Sequence, residues 1–293
     1  MATLQDIKRR ISGVKSTQQI TRAMKLIAAS KLRKAQANIL NARPYTDKIA
    51  SMISRLPDEQ TISLNPFFNQ REVKNVAVVV ITADRGLCGA FNQNIIKEAY
   101  RFIEDELKVN NINYQIFCVG KKGADYFTKR DYEIFGTDTG LFSSLKYNSA
   151  LNLSENIISK FIDGTFDRVV LIYNTFVSVI RQKIETKQFL PIPVDIDSAK
   201  DGLRNTNYIY EPNQMHIFEY LIPKHLKAQV WRALLESNAA ELSARMTAMD
   251  NATTNAGELI KSLNLTYNKE RQSAITREIL EIVSGANALK ESF

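Results

Sequence analysis

A chain of 293 residues, 44% of them apolar, is long enough for a normal core and one further element or domain. Its two cysteines, Cys88 and Cys118, exclude a disulfide framework and read as buried thiols of a reducing compartment. No uninterrupted apolar run is long enough to cross a bilayer, and the N-terminus lacks the apolar core of a secretory signal. The formal charge of +8 is unevenly placed: residues 1–56 hold twelve Lys and Arg against Asp6 and Asp47, so that stretch is +10 and the remainder −2. Acidic partners are therefore expected for the N-terminal segment more than for the body.

Residues 1–57 are expected to form one long helix. Thr3 followed by Asp6 has the spacing of a capping box, with Asp in place of the usual Glu, so the helix starts at Leu4. Leu4, Ile7, Ile11 and Val14 make an apolar stripe that breaks at Lys15–Gln19. Ile20, Met24 and Ile27 take it up on another face, and it returns in small residues with Leu32, Ala35 and Ile39. Pro44 is expected to kink the helix mildly, because its ring conflicts with the preceding turn. Residues 58–74 are polar, include Pro66, and read as a connector.

Residues 75–210 read as a small α/β domain. Val76–Thr82 is a near-continuous β-branched run, the mark of a strand covered on both faces. A helical stretch from Ala90, a strand at Tyr114–Val119, a short helix at Lys122–Thr128, part of a helix at Glu155–Phe161 and a buried strand at Arg168–Tyr173 follow. Thr175–Leu190 alternates as an edge hairpin or antiparallel strand does. The order is that of a doubly wound, Rossmann-like fold.

Residues 211–293 lead into a second long helix, expected to open at Pro223 and to run to about Lys290. Leu235, Leu242, Met246, Met249, Thr253, Ala256, Ile260, Leu263 and Tyr267 carry the period of a supercoiled seam. Each long helix has one apolar stripe and neither can bury it alone. The fold class expected is therefore a long antiparallel coiled coil of the N- and C-terminal helices with an inserted Rossmann-like α/β domain. Facing residue numbers should sum to about 270, with the C-terminal helix overhanging its partner beyond Tyr267.

Conspicuous residues mostly favour structural roles. The loop Asp84–Asn92 (DRGLCGAFN) sits where an open α/β sheet often binds a ligand, yet its glycines lack dinucleotide spacing. Gly120-Lys121-Lys122-Gly123 lacks the Gly-Lys-Ser/Thr ending of a phosphate loop. His216 and His225 have too little support for a metal site, and Asp195 with Asp197 reads as a solvated turn. No catalytic residue, cofactor site or metal site is expected. Met24 is expected to face Arg245, Met246 and Met249, where a flexible side chain fills space beside a charge. The basic N-terminal helix offers phosphate attraction, but its charges are scattered and lack aromatic interleaving, so no nucleic acid is expected. A coiled-coil scaffold or nucleic-acid-associated protein, and a Rossmann-like enzyme, are readings the residues also allow.

Four blocks then carry a resemblance over essentially the whole length: ITRAMKLIAASKLRKAQ (Ile20–Gln36), TADRGLCGAFN (Thr82–Asn92), RALLESNAAELSARMTAMDNATTNA (Arg232–Ala256) and RQSAITREILEIVSGANAL (Arg271–Leu289). The last holds Ile275, Thr276, Glu278, Glu281, Gly285 and Ala286 as a signature. Together they resemble the gamma-subunit family of bacterial F-type ATP synthases, the central rotary shaft. Two departures are Ala83, where the family usually has a small polar residue, and a longer connector at Asp58–Lys74.

The resemblance implies a non-catalytic subunit that couples proton-driven rotation of a c-subunit ring to the catalytic beta subunits. The implied partners are the alpha3beta3 hexamer, epsilon and the c ring, at the cytoplasmic face of the bacterial plasma membrane as a peripheral protein. It further implies that Lys8, Arg9, Lys15, Arg22, Lys25, Arg33 and Lys34 include contacts to acidic loops of the beta subunits. Arg271, Gln272, Thr276 and Glu278 resemble the family's polar contacts with the catalytic ring.

Overall fold

The computed structural model describes residues 3–55, 65–193, 211 and 214–291. Residues 56–64 of the helix end and connector, and Asp195 and Asp197, lie outside them. The elements are α1 (Leu4–Arg55), β1 (Asn75–Ile81), α2 (Phe91–Phe102) continued by a π-helical turn (Ile103–Lys108), β2 (Asn113–Val119), α3 (Lys121–Thr128), β3 (Ile134–Asp138), a 3-10 turn (Leu141–Ser143), α4 (Tyr147–Ile162), β4 (Arg168–Phe176), β5 (Gln182–Leu190) and α5 (Gln214–Glu291). The chain divides into two units: Met1–Ile27 with Met246–Phe293, and Ala28–Arg245.

In the larger unit five strands lie in the order β3-β2-β1-β4-β5, the first four parallel and β5 antiparallel on β4. The alternation of strand side chains feeds two cores. Ala77, Val79 and Ile81 point to one face, where Ile49 and Ile53 of α1, Ile157 of α4 and Ile222, Leu226 and Val230 of α5 cover them. Val76, Val78 and Val80 point to the other, under Ile95 and Ala99 of α2 and Ile103 and Leu107 of the π turn. The α/β sheet expected from the β-branched runs is thus present, with one addition: β3 (IFGTD) is an edge strand for which no element was expected.

Here the two long helices also run antiparallel. Arg43 bonds Glu236 at 2.9 Å, and Arg232 bonds Asp47 at 2.6 Å. The start of α5 differs from expectation. It opens at Gln214, so Pro223 lies inside the helix rather than in its first turn. Ile222 and Leu226, both fully buried, flank the proline, and core packing holds the helix through a position that propensity alone would end.

His225, on the same face, is 7% exposed and its Nδ1 has no hydrogen-bond partner among the described residues. Burial, then the charge of Lys187, pushes its pKa down to about 4 from an ordinary 6.5. A depressed histidine contributes stability that is present above the unfolded value and lost as pH falls through the folded one. Between pH 7 and 5 the expected loss is about 2 kcal/mol. Urea unfolding at the two pH values checks this: His225→Leu should flatten that part of the pH dependence, and an unchanged slope would contradict the assignment.

In the smaller unit the N-terminal part of α1 pairs antiparallel with α5. The capping box at its start forms as expected: the Asp6 N–H donates to Thr3 Oγ1 at 3.2 Å and the Thr3 N–H donates back to Asp6 Oδ2 at 3.2 Å. Ile7 and Ile11 are buried, as are Met249 and Ala256, with Met246, Thr253, Ile260, Leu263 and Tyr267 half-buried. The seam period read from the sequence is therefore the buried one.

Its partner stripe differs. Ile20 and Ile27 are 59% and 57% exposed, and polar residues take their place. Thr21 and Thr253 hydroxyls meet at 2.8 Å, and Gln18 Nε2 donates to the Thr253 carbonyl at 3.3 Å. Facing numbers sum to 271 at Gln18–Thr253 and 275 at Lys25–Asp250, close to the expected register.

Candidate functional site

The carboxyl ends of the parallel strands, where doubly wound sheets take ligands, are occupied by the chain's own side chains. Asp84 Oδ1 accepts the backbone N–H of Lys121 at 3.1 Å and of Gly140 at 2.8 Å. These are donors that a phosphate would otherwise use. Asn92 Oδ1 accepts the Ala83 N–H at 2.9 Å, and its Nδ2 lies 3.2 Å from Cys88 Sγ. Burial, aided by the charge of Asp84, raises the Asp138 carboxyl at the same end.

Burial also raises both thiols, Cys118 to about 12, which keeps them protonated and inert. Gly120 and Gly123 have a packing reason. A Cβ on Gly120 would fall 2.1 Å from the Thr82 carbonyl oxygen, and one on Gly123 would fall 2.9 Å from Thr82 Oγ1. Among the described residues no group of His, Cys, Asp and Glu side chains is placed to hold a metal ion.

The positions singled out for coupling are distributed along the helices. Lys8, Arg9, Lys15 and Arg22 are exposed in the smaller unit, and Arg33 and Lys34 in the larger. Lys25 is engaged within the chain, its ammonium 2.6 Å from Asp250. Met24 is half-buried in the smaller unit, as is Met246.

Arg245 belongs to the larger unit. Its guanidinium is taken by Glu241 one turn earlier and by the Gly86 carbonyl at 2.7 Å, which fastens the loop after β1 to α5. Burial raises the Glu241 carboxyl while Arg245 opposes that shift.

Arg271, Gln272, Thr276 and Glu278 are all exposed, with Thr276 Oγ1 returning its proton to the Gln272 carbonyl at 2.9 Å. Around them α5 has no partner among the described residues. Ile275, Ile279, Leu280, Ile282 and Val283 are between 48% and 70% exposed on one continuous helix. Among the described residues, sequence reasoning missed the buried carboxylate of Glu236. Its partners, Arg43 and the backbone of Phe176, lie far from it in the chain and no local pattern announces them.

A family model described as ATP synthase matches residues 3–289. The ATP synthase gamma chain of Chlorobium phaeobacteroides (strain DSM 266) is 49% identical over 99% of this chain and 100% of its own length. That of Chlorobaculum tepidum is 47% identical over the same shares. Among solved structures, a chain of the Euglena gracilis mitochondrial ATP synthase (OSCP/F1/c-ring) is similar with a TM-score of 0.70 and 23% identity, over 98% of this chain and 94% of that one, which speaks to the fold. A chain of the Tetrahymena thermophila mitochondrial ATP synthase central stalk and c ring has a TM-score of 0.62 and 26% identity, over 80% of this chain and 99% of that one. With its two long antiparallel helices, its inserted five-stranded domain and these full-length relatives, the chain belongs to the ATP synthase gamma-chain family.

Proposed function

We propose that this chain is the central stalk of an F-type ATP synthase, turning inside an alpha3beta3 hexamer and coupling proton-driven rotation of a c ring to the catalytic cycle of the beta subunits. The observation that carries this reading is the far end of α5, where a single helix exposes Ile275, Ile279, Leu280, Ile282 and Val283 with no partner among the described residues. Apolar side chains at that density call for an external sleeve. The α/β domain is the part available to epsilon and the c ring, and the complex would sit at the cytoplasmic face of the bacterial plasma membrane, with this chain peripheral. No helix among the described residues is long and apolar enough to cross a membrane.

In this account the chain performs no bond chemistry. A stiff shaft with unlike faces presents each beta subunit in turn with a different surface and so biases its equilibrium among binding, synthesis and release states. Exposed Lys8, Arg9, Lys15, Arg22, Arg33 and Lys34 would meet acidic loops of the hexamer, guiding register more than adding affinity. Glutamine at all six should weaken the coupling of proton pumping to hydrolysis, and the loss should vary with salt because exposed charges are screened. Unchanged pumping at low salt in vesicles carrying that variant would leave these residues as a solvated face.

A further inference from the structure

We propose that Glu236 is a positioning residue for coupling, the pin through which the α/β domain turns both long helices. It rests on the shaft reading above. Glu236 is 1% exposed, and both of its oxygens are engaged. Oε1 accepts from Arg43 of α1, at 2.9 Å from Nη2 and 3.2 Å from Nε. Oε2 accepts the backbone N–H of Phe176, the last residue of β4, at 3.1 Å. One carboxylate therefore joins α5, α1 and the sheet.

Much of the grip between helices and sheet is apolar: Ile49, Ile53, Ile222, Leu226, Val230 and Leu234 against strand side chains. Such packing resists separation, but it is non-directional and opposes sliding or rolling weakly. A charge-assisted hydrogen bond to a fixed backbone donor is directional and opposes both.

Two turns along the same face of α5, buried Ser243 donates to the Val179 carbonyl and accepts from Gln182 Nε2 at 3.1 Å, a second tie to the β4–β5 hairpin. Glu236 differs from that second tie in also holding α1 through Arg43. Torque delivered to the domain thus reaches both helices at one point.

The test is Glu236→Gln in the complete membrane complex. An amide can still accept from Arg43, but the nitrogen it then presents to the Phe176 N–H is a donor facing a donor. Expected is a complex of wild-type composition that hydrolyses ATP, pumps several-fold fewer protons per ATP, and shows wider angular fluctuation of a probe on the c ring when the hexamer is fixed. A residue that only stabilises the fold would lower the yield of complex and leave both readouts at wild-type values in whatever assembles, and that result overturns the proposal. If Glu236→Gln gives no complex, Arg43→Lys keeps the charge and removes the forked donor, and it is held to the same readouts: a reduced ratio supports the pin and a wild-type ratio overturns it. A wild-type complex that hydrolysed ATP without pumping would instead sink the shaft reading itself.

Discussion

A Met24→Lys complex is expected to assemble and hydrolyse ATP while pumping several-fold fewer protons per ATP than wild type. Met24 is half-buried between two fastened positions, Thr21 paired with Thr253 and Lys25 paired with Asp250. A lysine there can carry its ammonium outward along its stem, so its cost to the helix pair is small. Ile7, Ile11, Met249 and Ala256 still fill the seam. The new cation has two places to go. It competes with Lys25 for Asp250, which is 54% exposed, or it reaches outward to an acidic loop of the surrounding hexamer and holds that loop too long. Both act on transmission rather than on assembly.

Loss of Arg271 and Gln272 acts differently, because they stand exposed toward the far end of α5 and touch other subunits directly in the proposed complex. Their removal should lower hydrolysis itself. Pumping and hydrolysis measured on the same vesicles separate the two: a Met24→Lys complex with a wild-type ratio, or one that does not assemble, would contradict this account of the seam.

Gly120→Ala should destabilise the α/β domain by about 3 kcal/mol or more, the size expected when left-handed strain and overpacking fall on one position. Gly120 has φ +90, and a Cβ there would meet the Thr82 carbonyl oxygen at 2.1 Å, its carbon at 2.7 Å and Oγ1 at 3.0 Å. Those atoms cannot retreat. The Thr82 N–H donates to Val119 O at 2.8 Å, and its hydroxyl donates to the same carbonyl and accepts the Gly123 N–H at 2.8 Å. Gly140 is the control: its φ is +84 and nothing among the described residues lies within 4 Å of its Cβ position, so alanine there adds backbone strain alone, about 1 kcal/mol. Urea midpoints of the two variants should differ clearly, and equal midpoints would show that the contact with Thr82 yields.

The contrast between these glycines shows what a sequence can disclose. Gly120 and Gly123 flank two lysines and look like a fragment of a phosphate loop; only the approach of Thr82 reveals them as packing devices. The C-terminal seam was legible because Leu242, Met249 and Ala256 keep a regular period and are apolar. Its N-terminal counterpart was legible at Ile7, Ile11, Leu32, Ala35 and Ile39, all buried, but not at Gln18 and Thr21, whose polar groups are satisfied across the pair and carry no hydrophobic signal.

Pro223 misled through a valid local rule that the buried neighbours Ile222 and Leu226 override. β3 escaped notice because an edge strand has only one neighbour, and its Gly136 is needed where Phe117 lies close. The coupling positions split in the same way. Exposed Lys8 and Arg22 were legible as charge, whereas the engagement of Lys25 by Asp250 and of Arg245 by Gly86 joins residues far apart in the chain.

The central claim, that this chain is a rotating shaft, is tested most directly by fixing the alpha3beta3 hexamer to a surface and following a probe attached to this chain's α/β domain as ATP is added. The account predicts unidirectional, stepwise rotation of the probe that stops when ATP is exhausted. ATP hydrolysis by the same complexes with the probe stationary or merely fluctuating would contradict it.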